Sequence, residues 1–354
     1  MRVAVLHAYS ASNAGDGLLV RETLGVLGEA FPGPLEVTVL ALHPETFGDL
    51  ECEVISARPG FLGYGREYRR VLRGLGAFDL VVAVGGGYLR AGTVTEVVKS
   101  LAAHGPQLWA ASKCAAPVVY LPQSVGPFRF GSRDFARALL GRMTVVHLRD
   151  DRSVAEAQLA NAVRTPDLAL LSRNKRERTG PLGSATPILS VRAVGGSVPK
   201  RVARLASMMG TFDGFVQSVG AGNDDTKSML SMSPQRLVDR TELLGEDRSR
   251  RVVVAVRLHG ALMALNAGHW VVHVAYERKG FGAFSDLGLD RFVHPIRSFD
   301  PNEVLQQVTS LLADPAARAA YDSLIAQSSA ELEPRRARLV RSVRDAAVGT
   351  GPRR

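Results

Sequence analysis

An arginine and a histidine two residues apart are the clearest candidates for chemistry in this sequence. Arg257 and His259 lie in the stretch VRLHGAL, directly after an apolar run that is typical of a buried strand. A strand that continued through this stretch would place both side chains on one face, because side chains alternate along a strand. Gly260 would then begin a helix whose first N–H groups have no partner within the helix and can bind an anion. A guanidinium, an imidazole and a helix N-terminus together predict a site for a phosphate next to a carboxylate.

Two further cations follow predicted strands. Arg149 follows the strand TVVHL, where its guanidinium could bind a carboxylate or phosphate through two parallel hydrogen bonds. A solvated pair with Asp150 or Asp151 at the start of the next helix is the alternative. Lys279 follows the strand WVVHV and could either add positive charge to the same anion site or lie in a hydrated loop.

The stretch SNAGDGLL, after the first predicted strand, contains Asn13, Gly15 and Asp16. Gly15 suits a tight turn, and Asp16 can cap the following helix by accepting backbone N–H bonds. The start of that helix could equally bind an anion. Capping and ligand binding are therefore both open for this stretch.

Glycines and a glutamine follow two other buried strands. Gly86 and Gly87 lie in GGGYL after DLVVAV, where the backbone must pass close to a neighbouring element or to a ligand. Gln123 lies in LPQSVGPF, and its amide suits hydrogen bonds with sugar hydroxyls, with simple turn chemistry as the alternative. The glycines match neither the dinucleotide-binding pattern nor the P-loop.

Continuous apolar strands alternate with helical segments along the whole chain, which predicts mostly parallel sheets covered on both faces. The length of 354 residues suits two domains, and the two halves repeat the same pattern. The predicted fold class is therefore α/β, with two doubly wound Rossmann-like domains facing across a cleft. Ligands of such sheets bind at the carboxyl ends of the strands.

Composition changes predict the boundaries between these parts. The expected parts are an N-terminal Rossmann-like domain over 1–172, a linker over 173–186, a C-terminal Rossmann-like domain over 187–314, and basic helices over 315–354. The apolar run at 166–171 is predicted as a strand, and the segment 233–245 as a helix. The final helices could pack back on the N-terminal domain or rest on anionic lipid.

The net charge of +10 is dispersed along the chain, with few aromatic residues among the basic ones. No nucleic-acid-binding motif accompanies it, so we expect no nucleic-acid partner. Anionic small substrates or an anionic lipid surface explain the charge equally well.

The two cysteines, Cys52 and Cys114, are too far apart in sequence to indicate a disulfide framework or a Cys/His metal cluster. The N-terminal apolar run is short and is interpreted as a strand, not as a signal peptide. No segment approaches the roughly 18 continuous apolar residues of a membrane span. We therefore expect a cytoplasmic protein, with peripheral contact to the inner face of the membrane left open.

Taken together, these motifs resemble the polysaccharide pyruvyl transferase family. The resemblance covers nearly the whole chain and rests on NAGD, VVAVGGGYL, LPQSVGPF, LRDDRS with TPDLALL, SVR, RLHGALMALNAG and HVAYERKG, in that order. It implies a two-domain fold like that of GT-B glycosyltransferases. It also implies phosphoenolpyruvate as the donor and a sugar of a polysaccharide or lipid-linked intermediate as the acceptor. The implied product is a pyruvate ketal on two sugar hydroxyls, with phosphate released. No step of this reaction needs a metal, and we expect no cofactor.

The resemblance also assigns residues, with the donor on the C-terminal domain and the acceptor on the N-terminal one. The implied donor-binding residues are Arg149, Arg192, Arg257, Leu258, His259, Gly260 and Lys279. The implied acceptor-binding residues are Asn13, Gly15, Asp16, Gly86, Gly87 and Gln123. For catalysis, His259 is expected to act as general acid, Arg257 to stabilise the leaving group, and Asp16 to act as base. Gly17 and the loop VQSVGAGNDD depart from the family pattern and bear on acceptor choice.

Two other functions remain open at this point. One is a GT-B glycosyltransferase that uses a nucleotide-sugar donor, since the fold would be the same. The other is a non-catalytic subunit of a cell-envelope assembly pathway. Retention of Arg149, Arg257 and His259 argues against the second.

Overall fold

The computed structural model describes residues 1–61, 63–129, 131–172, 180–219, 224–245 and 249–349. The chain divides into two compact units. The first contains Met1–Ala11, Asp16–Leu171 and Glu333–Arg354, and the second contains Ser12–Gly15 and Ser172–Leu332. Most of the predicted linker, 173–179, and part of the loop VQSVGAGNDD, 220–223, lie outside the described residues.

The first unit is built on a parallel sheet. Its strands are β1 (Arg2–Ala8), β2 (Glu36–Ala41), β3 (Glu53–Ser56), β6 (Leu80–Ala83), β7 (Gly86–Ala91), β8 (Val118–Phe128), β9 (Val145–Leu148) and β10 (Ala162–Arg164); β4 (Pro59–Gly60) and β5 (Gly63–Tyr64) form a separate small hairpin. The order is β10-β9-β8-β6-β1-β2-β3, with β7 paired to β8. Every pairing in this order is parallel. The central strands are fully buried because helices cover both faces, as their apolar sequences predicted.

Helices of the first unit connect these strands. They are α1 (Ala14–Ala30), α2 (Arg66–Arg73), α3 (Val94–Ala111), α4 (Ser132–Leu140) and α5 (Asp151–Ala157). One face of the sheet forms a hydrophobic core with α2, α3 and α4, through residues such as Tyr68, Leu108 and Leu139. The outer sides of these three helices are therefore the surface of the first unit.

The end of the chain is one helix, α12 (Pro315–Ala347), and from Glu333 onwards it belongs to the first unit. Arg336 is buried and donates to the carboxylates of Glu22 (3.0 Å) and Glu29 (2.7 Å) on α1. Its guanidinium also donates to the carbonyl of Leu171 (2.5 Å). Part of the positive charge of the C-terminal segment is thus used inside the protein.

The second unit has its own parallel sheet. Its strands are β11 (Ile188–Ser190), β12 (Asp213–Phe215), β13 (Leu237–Val238), β14 (Val252–Ala255), β15 (Trp270–Ala275) and β16 (Val293–Pro295), in the order β13-β12-β11-β14-β15-β16. Its helices are α6 (Lys200–Met209), α7 (Thr226–Leu230), α8 (Arg240–Leu244), α9 (Leu258–Asn266), α10 (Lys279–Ser285), α11 (Pro301–Ala313) and the first part of α12. The predicted α/β class with parallel sheets in two domains is confirmed.

Two local predictions were wrong. Residues 166–171 form a turn, because the Asp167 side chain accepts from the backbone of Ala169 (2.9 Å) and its carbonyl accepts from Leu170 (2.9 Å). Residues 233–245 contain the short strand β13 and the helix α8, because Asp239 caps α8 by accepting from the Glu242 backbone (2.6 Å). Local hydrogen bonds that aspartates accept from backbone N–H groups thus decide the structure of both segments.

Three buried, neutral histidines should make the fold less stable at low pH. Burial lowers the pKa of His104, His147 and His273 to about 4 each. In the unfolded chain they titrate near 6.5, so stability is fully present above that pH and is lost as pH falls towards 4. We expect each histidine to lower the free energy of unfolding by about 2 kcal/mol when the pH falls from about 7 to about 5.

Urea unfolding at these two pH values, followed by circular dichroism, measures this loss. The variant His147→Gln removes one titrating group and should reduce the pH dependence of the unfolding midpoint. Equal stability of the wild-type protein at both pH values would contradict the assignment of these histidines as neutral.

Candidate functional site

The strands of the second unit end at one edge of the sheet, and the direction in which the chain adds successive strands reverses at one point along this edge. The chain passes from β11 through α6 to β12 on one side, and from β14 through α9 to β15 on the other. Since β11 and β14 are adjacent, the switch point lies between them. Doubly wound sheets bind ligands at this position. Arg192 follows β11 and Arg257 follows β14, so the fold places both arginines at the switch point.

The local geometry of Arg257 and His259 differs from the strand alternation expected above. β14 ends at Ala255, and helix α9 begins at Leu258. Arg257 has extended backbone angles, and its carbonyl accepts the first helical hydrogen bond, from Ala261 (3.0 Å). His259 and Gly260 therefore lie in the first turn of α9, and the same-face argument was wrong. The predicted helix N-terminus beside the arginine is present, two residues earlier than expected.

A buried ion pair holds the Arg257 side chain. Its Nε and Nη2 donate to the two carboxylate oxygens of Asp225, at 2.5 and 2.7 Å. Both side chains are almost completely buried. The pairing fixes the plane of the guanidinium, since a bidentate contact allows little rotation. Asp225 lies in the loop before α7, and the sequence analysis did not identify it.

Residues 13–15 belong to the second unit, where Gly15 meets the stretch RLHGAL. A Cβ atom added to Gly15 would lie 2.4 Å from the Cβ and Nδ1 atoms of His259, so only glycine fits there. Asn13 forms an isolated bridge with Ser218, and its side chain accepts from the Gly15 backbone (3.1 Å). Close approach, not a tight turn, explains Gly15.

Asp16 lies inside the first turn of α1 and belongs to the first unit. The cap-type hydrogen bond that was expected from Asp16 is made by Asn13 instead. A carboxylate in the first turn still interacts favourably with the helix dipole.

A second close approach involves Gly260 and Gln217. A Cβ atom on Gly260 would lie 2.2 Å from the Gln217 side-chain oxygen. Gln217 is buried, and this oxygen accepts no hydrogen bond from the residues that the structure describes. Gln217 follows β12 at the same edge of the sheet. The sequence analysis missed Gln217 because its position after a short strand was the only sequence feature that indicated a role in the site.

Arg192 and Lys279 are two further charged groups at this edge. Arg192 donates to the Tyr276 hydroxyl (2.7 Å) and to the carbonyl of Ala193. Its guanidinium also stacks on the Tyr276 ring. Lys279 forms an ion pair with Glu277 (2.7 Å). Arg192 has no carboxylate partner among the described residues, whereas Arg257 and Lys279 each have one. Arg192 therefore contributes the positive charge that is least compensated.

In the first unit, Gln123 and Arg149 lie close together at the carboxyl ends of β8 and β9. The Arg149 backbone donates to the Gln123 carbonyl (3.0 Å). Arg149 is buried, and its side chain donates to Ser124 (2.8 Å) and to Asp167 (2.5 Å). Its Nη2 atom and the side-chain amide of Gln123 make no hydrogen bond with any described residue. Asp150 caps α5 and accepts from Ser124 (2.5 Å). The alternative of a solvated Arg149 pair with Asp150 or Asp151 is therefore replaced by a buried pair with Asp167.

The glycines after β6 approach the neighbouring strand. A Cβ atom on Gly85 would lie 2.6 Å from the Pro122 carbonyl oxygen. Gly86 pairs with Gln123 in the β7–β8 ladder and has a φ of +154°, which few other residues adopt. Gly86 and Gly87 thus begin β7 beside Gln123. Packing between strands accounts for Gly85.

A comparison with models of protein families shows to which family this chain belongs. The family model for polysaccharide pyruvyl transferase matches residues 13–278, which is most of the chain. The chain belongs to the polysaccharide pyruvyl transferase family. The matched region begins at Asn13 and ends one residue before Lys279, so it contains most of the positions described above.

Solved structures share the fold of this family member at low sequence identity. A protein assigned as a UDP-N-acetylglucosamine 2-epimerase from Listeria monocytogenes has a TM-score of 0.59 at 10% identity, over 97% of this chain and 96% of that one. The E. coli structure described as trehalose-6-phosphate bound with UDP-2-fluoro glucose has a TM-score of 0.54 at 11% identity, over 97% and 99%. Apo UGT2 of Phytolacca americana has a TM-score of 0.52 at 10% identity, over 97% and 99%. The fold is thus that of GT-B glycosyltransferases and epimerases. No curated protein matches the sequence significantly.

The first unit of this pyruvyl transferase family member also holds a histidine cluster that the sequence analysis missed. His7 contacts His104 (Nδ1 to Nδ1, 3.2 Å) and the Tyr120 hydroxyl (3.0 Å), and it stacks on Tyr88. Its φ of 67° is unusual for a residue with a side chain. Burial lowers the pKa of both histidines and raises that of both tyrosines. The cluster is neutral and buried, and His7 was overlooked because it lies within the first apolar strand.

None of the described helices is both long and apolar enough to cross a membrane. The described residues also contain no group of three or more His, Cys, Asp or Glu side chains placed to hold a metal ion.

Proposed function

We propose that this protein transfers the enolpyruvyl group of phosphoenolpyruvate onto two hydroxyls of a sugar in a polysaccharide or lipid-linked precursor. The reaction forms a pyruvate ketal and releases phosphate. One observation carries the proposal: Arg192 and Arg257 follow adjacent strands at the switch point of the second sheet, beside His259 in the first turn of α9. Family membership supports the pyruvyl group and the polysaccharide acceptor.

The charges at this edge suit a small dianionic donor. Arg192, Arg257 and Lys279 supply three positive charges, and Asp225 and Glu277 offset two of them. The remaining positive charge and the N-terminus of α9 attract an anion. Because Asp225 occupies the Nε edge of Arg257, we assign the first anionic contact to Arg192. Arg257, Leu258 and Gly260 then shape the start of α9 around the donor.

The donor chemistry gives each group a role. The methylene carbon of phosphoenolpyruvate takes a proton and becomes a methyl group, which leaves a cationic carbon for attack by the first sugar hydroxyl. Phosphate then departs with the electron pair of its C–O bond, and the second hydroxyl attacks the same carbon. One hydroxyl proton balances the proton taken by the methyl group, and the other leaves with phosphate.

His259 is the proposed general acid, since it is the imidazole in the first turn of α9. Arg192 and Arg257 stabilise the negative charge on the departing phosphate. In the first unit, Arg149 as a further donor ligand and Asp16 as base for a sugar hydroxyl stay predictions. The same holds for acceptor binding by Asn13, Gly15, Gly86, Gly87 and Gln123.

Phosphate release and ketal formation test this function. The purified protein is incubated with phosphoenolpyruvate and a panel of glycosides with adjacent or 1,3-related hydroxyls, and the acceptor mass is followed. We expect phosphate release that depends on an acceptor, and an acceptor mass increased by one pyruvate less one water. Thermal stabilisation by UDP-sugars and not by phosphoenolpyruvate would instead identify a nucleotide-sugar glycosyltransferase and would overturn the proposal.

A further inference from the structure

Helix α3 carries an exposed apolar stripe on its outer side. Val94, Val98, Leu101 and Trp109 are between 47% and 66% exposed. Their spacing places them within an arc of about 80° on the helix surface. The inner side of the same helix is buried through His104, Gln107, Leu108 and Ala111. Helix α3 thus has a second apolar face that the fold of the described residues leaves uncovered.

Two exposed phenylalanines lie on the elements that adjoin α3. Phe61 is fully exposed in the β4–β5 hairpin, and Tyr64 of that hairpin donates to the Ala102 carbonyl on α3 (2.5 Å). Phe135 is 49% exposed on α4, which packs beside α3. An apolar surface of several large side chains is unusual on a soluble monomer and marks an interaction site.

Basic residues flank this stripe on both sides. Helix α2 packs beside α3, and the segment from Arg58 to Arg73 contains five arginines and one glutamate. On the other side, the segment from Arg129 to Arg142 contains four arginines and one aspartate. The stripe itself ends in a pair in which Lys113 lies 4.0 Å from the centre of the Trp109 ring.

We propose that this surface, the outer side of α3 with the Phe61 hairpin and the arginines of α2 and α4, binds the face of an anionic lipid bilayer. Apolar side chains would enter the headgroup region while the arginines contact lipid phosphates. A second copy of this chain is a poorer partner, because a symmetric dimer would bring the arginine clusters of two copies together. The proposal does not depend on the reaction proposed above.

For the basic C-terminal helix, the sequence left open both packing on the N-terminal domain and contact with lipid, and the structure makes it the weaker candidate for lipid binding. Arg336 on α12 is buried against Glu22 and Glu29, and Arg344 donates to the Ala30 carbonyl (2.8 Å). Most of the large apolar residues of that segment, among them Leu339 and Val343, are buried in the first unit. α3 combines exposed apolar area with charge, and binding to a bilayer surface needs both.

Vesicle flotation of the full chain tests the proposal. We expect binding to vesicles of phosphatidylcholine with phosphatidylglycerol, little binding to phosphatidylcholine alone, and weaker binding at higher salt. The double variant Leu101→Glu/Trp109→Glu should weaken binding at least about tenfold. The control is Val163→Glu, which places a glutamate at another exposed apolar position, on β10 of the same unit. This variant should bind vesicles as the wild type does. Thermal melts establish that each variant is folded.

Intrinsic fluorescence reports which surface is in contact. The chain has two tryptophans, and Trp270 is buried, so a blue shift on vesicle binding reports Trp109. The binding of anionic vesicles is compared between the charge variant Arg66→Glu/Arg69→Glu on α2 and the charge variant Arg338→Glu/Arg341→Glu on α12. The proposal is overturned if anionic vesicles do not bind, if Trp109 emission stays constant on binding, or if only the α12 variant loses binding. Concentration-dependent self-association that Leu101→Glu/Trp109→Glu abolishes, without vesicle binding, would show a second copy as the occupant and would also overturn it.

Discussion

Replacing His259 with alanine is expected to lower phosphate release from phosphoenolpyruvate by about a hundredfold or more. The imidazole lies in the first turn of α9 at the switch point of the second sheet, where the proposed donor must be protonated. Removing a general acid acts on the chemical step, so kcat should fall while KM for the donor changes little. A loss in KM alone would indicate a binding role without proton transfer.

The structure offers a matched control for this measurement. His43 is a surface histidine of the first unit that pairs with Glu45 (3.2 Å). His43→Ala should keep wild-type turnover, which controls for the loss of an imidazole as such. Turnover of His259→Ala near the wild-type value would exclude His259 as the acid.

Replacing Asp225 with alanine should destabilise the protein by about 3 to 5 kcal/mol, because it leaves the buried Arg257 guanidinium without its carboxylate. The same change should raise KM for phosphoenolpyruvate, since the guanidinium loses its fixed plane beside the proposed donor site. Asp225→Asn keeps one oxygen acceptor and should have a smaller effect on both quantities. Urea unfolding and initial rates at varied donor concentration measure the two effects separately.

The neighbouring residue provides the control for Asp225. Asp224 is exposed, and its side chain accepts from the Thr226 backbone (2.7 Å). Asp224→Ala should therefore lower stability much less than Asp225→Ala, because it removes only an exposed hydrogen bond from the Thr226 backbone. A double variant that also changes Arg257 to alanine should recover much of the stability lost in Asp225→Ala. Equal effects of Asp224→Ala and Asp225→Ala would contradict the role of the ion pair.

Much of the architecture could be predicted from pattern alone. Apolar runs such as β6 and β14 are buried on both faces and alternate with helices, and this pattern is specific to parallel sheets. The chemistry-bearing positions after strands could be predicted for the same reason, because strand ends define where doubly wound sheets bind ligands. The family resemblance, read from short motifs in order, is confirmed over residues 13–278.

Local hydrogen bonds limited the prediction of elements. Residues 166–171 have the apolar composition of a strand, yet the Asp167 side chain satisfies the local backbone and produces a turn. The start of α9 at Leu258 likewise depends on the carbonyl of Arg257, which accepts from Ala261. Composition does not reveal which backbone groups a side chain or a carbonyl will satisfy.

The sequence by itself determined the α/β class, the repeated two-part organisation, the family and the identity of Arg257 and His259 as candidate groups. Only the tertiary structure decided that Asp225 holds Arg257, that Gln217 touches Gly260, and that Gly15 exists to admit His259. These partners are distant in the chain and meet through strand order and helix packing. The outer stripe of α3 has the same origin, since apolar spacing on a helix predicts two faces, and only packing shows which of them stays exposed.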